Sequence, residues 1–435
     1  SKYDALLAAN LNRDYPVDRR VLLVRCRVWL VLNGFSQEVS FAVQEHFRIG
    51  KRNLARWEFD VPVGQGKAVK LDITSRFAFN ANAVKLEFRR RPAGGNPRLL
   101  PDDIKVQIIV RCGIDDRDNH AVTKAYAGAE KRFPRAVTPL DDGFIFEPAN
   151  CRLAVRVNGC RFFSDNQWSY MNELPLENYY GLDHQSDLFS PGFLTGELAG
   201  NHTFTLEGVC SIPDVEPRYP AVDRFPSSQD LMNCALESLK MFVVKRNDFN
   251  TVIAGYPWFL DWGRDTFIVL RGLIAAGMLD ESRNIILQFA ALEKSGTIPN
   301  MLRGSNDSNR ETSDAPLWLA VALNDYIRAA GDSSILTTRC GNRTVLEIIE
   351  SIAYHYRCGT ANGIFADKES NLIYSPPHFT WMDTNYPAGS PRAGYPVRRI
   401  SPLSFPHTGH AGSIGRSLWK YFCTANDRRS RYAHH

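Results

Sequence analysis

The sequence predicts a multidomain chain that runs from β to α: an antiparallel β-sandwich followed by stacked helical hairpins. Three observations lead there. Up to about Cys210, short stretches alternate apolar and polar residues between turn dipeptides, with no helical period among them. Beyond a Pro-bearing linker the apolar residues fall at helical spacing instead. The 435 residues, 44% hydrophobic and 23% charged, are enough for two or three domains with substantial cores.

The first part divides at 1–212. Val21 to Leu32 is an apolar run interrupted by Arg25 and Arg27, while Lys67 to Thr74, Ala83 to Phe88, Ile104 to Arg111 and Arg152 to Val157 alternate. Gly-Gln-Gly at 64–66, Gly-Gly-Asn-Pro at 94–97 and Asn158-Gly159 supply turns. Thr203 to Gly208 reads as the last strand. Many short strands without intervening helices favour a sandwich.

Residues 213–226 form the linker. From 227 to 397 the chain reads as helical, starting with Leu231, Ala235, Leu239 and Phe242 behind a cap at Ser227 or Ser228. Phe267 to Leu279 is apolar except for Arg271, so this helix is expected to be buried on most faces. A one-sided helix from Glu281 to Gly296 follows. Ala315 to Ala330, capped by Ser313 or Asp314 and ended by Gly331, and Thr344 to Tyr356 complete the set. Buried helices alternating with one-sided ones suggest an inner and an outer layer.

Composition narrows the function. Nine cysteines without a Cys-x-x-Cys pair argue for reduced thiols in a cytoplasmic protein, and against a zinc site or disulfide framework. No apolar run is long enough to cross a bilayer, and Ser1-Lys-Tyr-Asp does not read as a signal peptide, so no membrane association is expected. The net charge of +5 is local. From Arg398 onward six Arg and one Lys face one Asp, so the rest of the chain is near neutral and no nucleic-acid partner is expected. Oligomeric state is left open.

Four clusters carry chemistry: Trp258 to Asp265, Gly296 to Arg303, Asn309 to Trp318 and Phe379 to Asp383. The first stands at the mouth of the apolar helix, where Trp258, Asp261, Trp262, Arg264 and Asp265 need a cavity or partners for their polar groups. Indole faces suit the C–H side of a sugar ring, and Arg, Asn and carboxylates suit its hydroxyls. This adds Asn300, Arg310, Asp314, Trp318 and Trp381 to the candidates. Asp383 fits a general acid, because Phe379, Trp381, Met382 and Tyr386 offer an apolar shell that would raise its pKa. Asp265 beside Arg264 fits an ionised carboxylate that holds hydroxyls. Singly, each has a plainer reading. Asp314 could cap its helix, Trp318 could be core, Asp383 a turn residue, and Arg310 with Glu311 a solvated pair. Their co-occurrence at the same end of successive hairpins favours a site.

Tyr256-Pro-Trp-Phe-Leu-Asp-Trp-Gly-Arg-Asp-Thr-Phe-Ile, Gly296-Thr-Ile-Pro-Asn, Asn309-Arg-Glu-Thr-Ser-Asp-Ala-Pro-Leu-Trp and Thr380-Trp-Met-Asp resemble the amylo-α-1,6-glucosidase domain of glycogen debranching enzymes, in that family's order. The resemblance implies an α/α toroid of six hairpins behind the sandwich. It also implies inverting hydrolysis of α-1,6-linked glucose at branch points of glycogen or another branched α-glucan, with no metal and no cofactor. Asp383 would be the general acid, and Trp262, Arg264 and Asp265 would hold the glucose. After Val397 the letters depart from the family. Prolines at 402 and 406 break the expected helix, and 398–435 read as an atypical basic tail, replaced or frameshifted. The toroid is therefore expected to be incomplete at its C-terminus, without the family's catalytic Glu. Two other readings stand beside this one: another toroid glycosidase, trehalase- or glucoamylase-like, and a non-catalytic glucan-binding protein. A purely structural interaction module is a third.

Overall fold

The computed structural model describes residues 1–50, 54–149, 151–210, 216–220, 231–256, 259–367, 373–381 and 383. The tail, most of the linker, Trp258, Met382 and Tyr386 lie outside them. The chain forms two compact units. One comprises Ser1–Arg13 with Asp18–Glu237; the other comprises Asp14–Val17 with the chain from Ser238.

The first unit is built of strands. β1 Leu7–Asn10, β2 Arg19–Leu32, β3 Phe35–Glu38, β4 Gln44–Ile49 and β5 Ala55–Gly64 come first. β6 Lys67–Phe77, β7 Asn82–Arg90, β8 Val106–Asp118, β9 Val137–Leu140 and β10 Gly143–Phe146 follow. β11 Leu153–Asn158, β12 Arg161–Glu173, β13 Gln185–Leu198 and β14 Thr203–Cys210 close the unit, with two short helices, α1 Ala129–Arg135 and α2 Pro175–Tyr179, between them. One sheet runs β1-β2-β8-β13-β12 with β3 on β2, and the other runs β4-β5-β6-β7-β14-β11-β10-β9. The strand pairs are antiparallel.

Period-2 patterning explains the core. Leu30, Ile108 and Phe189 of one sheet share a single apolar cluster with Leu71, Phe88 and Leu206 of the other. Each such side chain, fully buried, contributes about 1.5–3 kcal/mol. Arg90 is the exception inside, 1% exposed. It donates to the carbonyls of Leu100, Pro101, Ile104 and Leu198, which solvate a charge that burial alone would disfavour.

The helix α3 Leu231–Phe242 spans the boundary between the units, and the second continues in the hairpin β15 Val243–Arg246 and β16 Phe249–Val252. A two-residue strand, β17 Asp261–Trp262, leads into α4 Gly263–Ala275, then α5 Leu279–Ala291. β18 Met301–Leu302 pairs with β17 and precedes α6 Ala315–Ala330 and α7 Val345–Cys358. Gly331 ends α6 at φ 65°, as its sequence suggests, and Thr344 caps α7 in a reciprocal box with Glu347.

The expected burial of α4 and α5 is reversed. α4 buries one face, Phe267, Leu270, Leu273 and Ile274, and leaves Asp265, Ile268, Arg271 and Gly272 outside. In α5, Ile285 to Ala290 are buried without a break. The reason is how the neighbours are placed: α4 packs chiefly against α6, whereas α5 divides its contacts among α4, α6, α7 and β16. Phe267 and Phe289 meet edge to face at 5.1 Å between these two helices. α4 also ends earlier than its apolar run, because Gly277 turns the chain at φ 77°. No described helix is long and apolar enough to cross a membrane.

Candidate active site

The site starts from a glycine. Gly263 opens α4, and its amide donates to the carbonyl of Asn300 at 2.8 Å. A Cβ there would fall 2.6 Å from the carbonyl oxygen of Pro299, so the backbones approach as only glycine allows. The Trp-Gly-Arg-Asp turn is thus seated on the Gly-Thr-Ile-Pro-Asn loop, and Arg264 and Asp265 enter the first turn of α4.

Arg264, 6% exposed, is the centre. Its Nε donates to Asp314 Oδ2 at 2.6 Å and its Nη1 to Asp383 Oδ2 at 3.2 Å. Burial works against its charge, and the two carboxylates outweigh that, holding its pKa above the ordinary value. Its Nη2 has no hydrogen-bond partner among the described residues. Asp265 is exposed by area, yet the protein packed around it raises its pKa. Arg264 opposes that rise, while Asp383 and Asp314 add to it.

Asp314 occupies the N-cap position of α6 but does not cap with its side chain. Thr312 serves instead, accepting from the Ala315 amide at 3.3 Å and donating to Asp314 Oδ1 at 2.9 Å. The carboxylate is thereby turned to Arg264. The chain carrying Asp383 is fastened to the same place: Phe379 offers its carbonyl to the Ser313 amide at 2.7 Å.

Other candidates sit elsewhere in the scaffold. Asp261 is 0% exposed and accepts from Arg246 at 2.8 Å and Thr251 at 3.2 Å. Burial raises its pKa against the pull of Arg246. It ties β17 to the β15–β16 hairpin. Arg310 clamps the loop, donating to the carbonyls of Thr297 and Leu292 and to Asp307. Asn300 is buried by its backbone bonds to Gly263 and Asn309, and its Oδ1 has no described partner. Trp262 is half-buried, and Trp318 packs at the edge of the helical core. Trp381 is 73% exposed.

The apolar shell expected around Asp383 takes a different form among the described residues. Its carboxylate meets a guanidinium, Phe379 packs toward the helical core, and Trp381 stands out in solvent. Sequence reading missed Arg246, Thr312 and Tyr356, and took Ser313 only for a helix cap, whereas it bonds to Phe379. Thr312 and Ser313 lie inside a quoted motif, whereas Arg246 and Tyr356 carry no local signal. Two cavities of about 600 and 360 Å³ lie on the first unit, the larger lined by Lys105, Arg161, Thr195, Glu197 and His202. Neither includes a motif residue. No group of His, Cys, Asp and Glu suited to a metal occurs among the described residues.

Two families match successive parts of the chain. Residues 1–205 match "Glycogen debranching enzyme N terminal", and residues 236–406 match "Amylo-alpha-1,6-glucosidase". The chain belongs to the glycogen debranching enzyme family. The second of these names is that of a glycoside hydrolase. The glycogen debranching enzyme of Saccharomyces cerevisiae is 40% identical over 88 residues, covering 19% of this chain and 6% of the yeast protein. A bacterial glucoamylase, solved in complex with acarbose, is 9% identical, with a TM-score of 0.44 over 86% of this chain and 58% of its own.

Proposed function

We propose that this debranching-family chain recognises the α-1,6-linked glucose at a branch point of glycogen or limit dextrin and hydrolyses it with inversion. The observation that carries the reading is the placement of Arg264 between Asp314 and Asp383, which unites three of the four sequence motifs. In this reading Asp383 protonates the departing glycosidic oxygen. Asp265, Trp262 and Nη2 of Arg264 hold the glucose, one by charge, one by its ring face and one by donation. The helices α4 to α7 form part of an α/α toroid, and the protein acts in the cytoplasm without metal or cofactor. No residue of this chain is assigned as the base that activates water.

A second reading, glucan binding without hydrolysis, is favoured by one contact. Asp383 Oδ2 already accepts from Arg264, so only Oδ1 is left to carry a proton to a glycosidic oxygen. Glucose release from limit dextrin, compared with trehalose and linear maltooligosaccharides, separates the readings. Release from limit dextrin alone supports debranching. Release chiefly from trehalose or linear chains replaces it with another glycosidase activity. Glycogen binding that weakens in Trp262→Ala, with no release from any substrate, leaves the binding protein.

A further inference from the structure

We propose that Ser313 is a positioning residue that seats the Asp383-bearing segment, and with it the Asp383–Arg264 contact. The inference rests on the proposed role of Asp383 and adds a residue outside the set that would touch substrate.

Ser313 is 0% exposed. Its amide donates to Phe379 O at 2.7 Å, and its hydroxyl reaches the same oxygen at 3.0 Å. Its own carbonyl accepts from the Tyr356 hydroxyl at 2.7 Å, which pins it to α7. Ser375, also 0% exposed, stands 2.7 Å from the Ser313 hydroxyl. A hydroxyl has one proton to give. If Ser313 donates to Phe379, Ser375 donates to Ser313, and each of the two buried hydroxyls has a use. The arrangement fixes the 375–379 stretch at both ends, through Ser375 and through Phe379.

The next residue completes the device. Asp314 grips Arg264 from one side while the segment held by Ser313 brings Asp383 to its other side. Adjacent residues thus set both carboxylates on one guanidinium, one by a side chain and the other through the backbone it anchors. Misplacement of a reacting group by about 1 Å costs on the order of 100-fold in rate. A Ser313→Ala variant keeps the amide bond but loses the hydroxyl bridge, so a smaller displacement of Asp383 follows.

The test uses Ser313→Ala, Ser375→Ala, Asp383→Asn and the double variant of 313 and 383 in the full chain. Three quantities are measured: glucose release from limit dextrin, affinity for 1-deoxynojirimycin by calorimetry, and hydrogen exchange of the peptide from Ile373 to Asp383. Ser313→Ala is expected to speed exchange in that peptide and to lower kcat roughly 10-fold with KM little changed, short of the 100-fold limit. Release being abolished in Asp383→Asn, the double variant is read by iminosugar affinity, which is expected to fall in Ser313→Ala and to fall no further once Asp383 is Asn. Ser375→Ala, which leaves both Ser313 bonds to Phe379, moves the same way by less and serves if Ser313→Ala does not fold. Unchanged exchange overturns the proposal, and so does faster exchange with wild-type kcat and wild-type iminosugar affinity. Independent, additive losses in the double variant also overturn it. A wild-type chain that releases no glucose sinks the hydrolytic reading alone. The exchange and the non-additive loss of iminosugar affinity then decide the fate of Ser313.

Discussion

The amide of Gly263 bonds to the carbonyl of Asn300 at 2.8 Å, and at that spacing the Pro299 oxygen occupies the place of any side chain at 263. Two motifs separated by a helical hairpin are joined there without a side chain. Gly263→Ala should therefore destabilise the second unit by about 1–3 kcal/mol, because a backbone carbonyl cannot move aside as a flexible side chain can. Urea unfolding followed by tryptophan fluorescence measures it. A variant as stable as the parent would show that the approach relaxes freely.

Arg264 presents a planar fork to two carboxylates. Arg264→Met should cost about 3–5 kcal/mol, since it strands Asp314 in a buried position. Arg264→Lys should recover part of that stability but little glucan affinity, because one ammonium cannot satisfy both directions. The two are compared by denaturant unfolding and by glycogen binding. Equal binding by Arg264→Lys and the parent would remove the fork from recognition.

Asp383 and Trp262 divide differently in the proposed reaction. Asp383→Asn should abolish glucose release and leave glycogen affinity largely intact, whereas Trp262→Ala should weaken affinity first. Parallel assays of release and co-sedimentation with glycogen separate the two effects. Strong loss of binding in Asp383→Asn would move that residue among the groups that hold glucose.

The pH dependence follows from Asp265. Surrounding protein raises its pKa above the ordinary 3.8, with Asp383 and Asp314 contributing and Arg264 opposing. The ionised form that accepts hydroxyls is present above that raised value and is lost as the pH falls through it. Affinity for 1-deoxynojirimycin should thus decline on acidification at a higher pH than an ordinary Asp would give. The decline should be absent in Asp265→Asn. An unaltered profile in that variant would assign the titration to another group.

Much of the fold was legible because its signals are local. Alternation marked β6, β7, β11 and β14. Helical spacing with Gly331 and Thr344 placed the end of α6 and the start of α7. What one stretch of letters does not carry is its neighbours, and the inversion of α4 and α5 shows the cost. An apolar run reports what a helix can bury, whereas the distribution of the elements packed around it decides what it does bury. The motifs held the polar cluster for the same reason that they did not reveal its wiring. Arg264 and Asp314 stand fifty positions apart, and Asp261 is matched by Arg246 from a hairpin that nothing near it announces.

Asp14–Val17 leave the strand-rich part of the chain and join the helical unit. There the Asp14 carbonyl takes the Asn247 amide at 2.7 Å, and the Arg246 guanidinium lies 4.9 Å from the Tyr15 ring. Arg246 is also the partner of Asp261, directly before the Trp-Gly-Arg-Asp turn. A helical half expressed from Ser227 onward would lack that aromatic cover and begin life with its hairpin unbraced. Dissection of this protein should keep the N-terminal peptide attached, or supply it in trans as a short fragment.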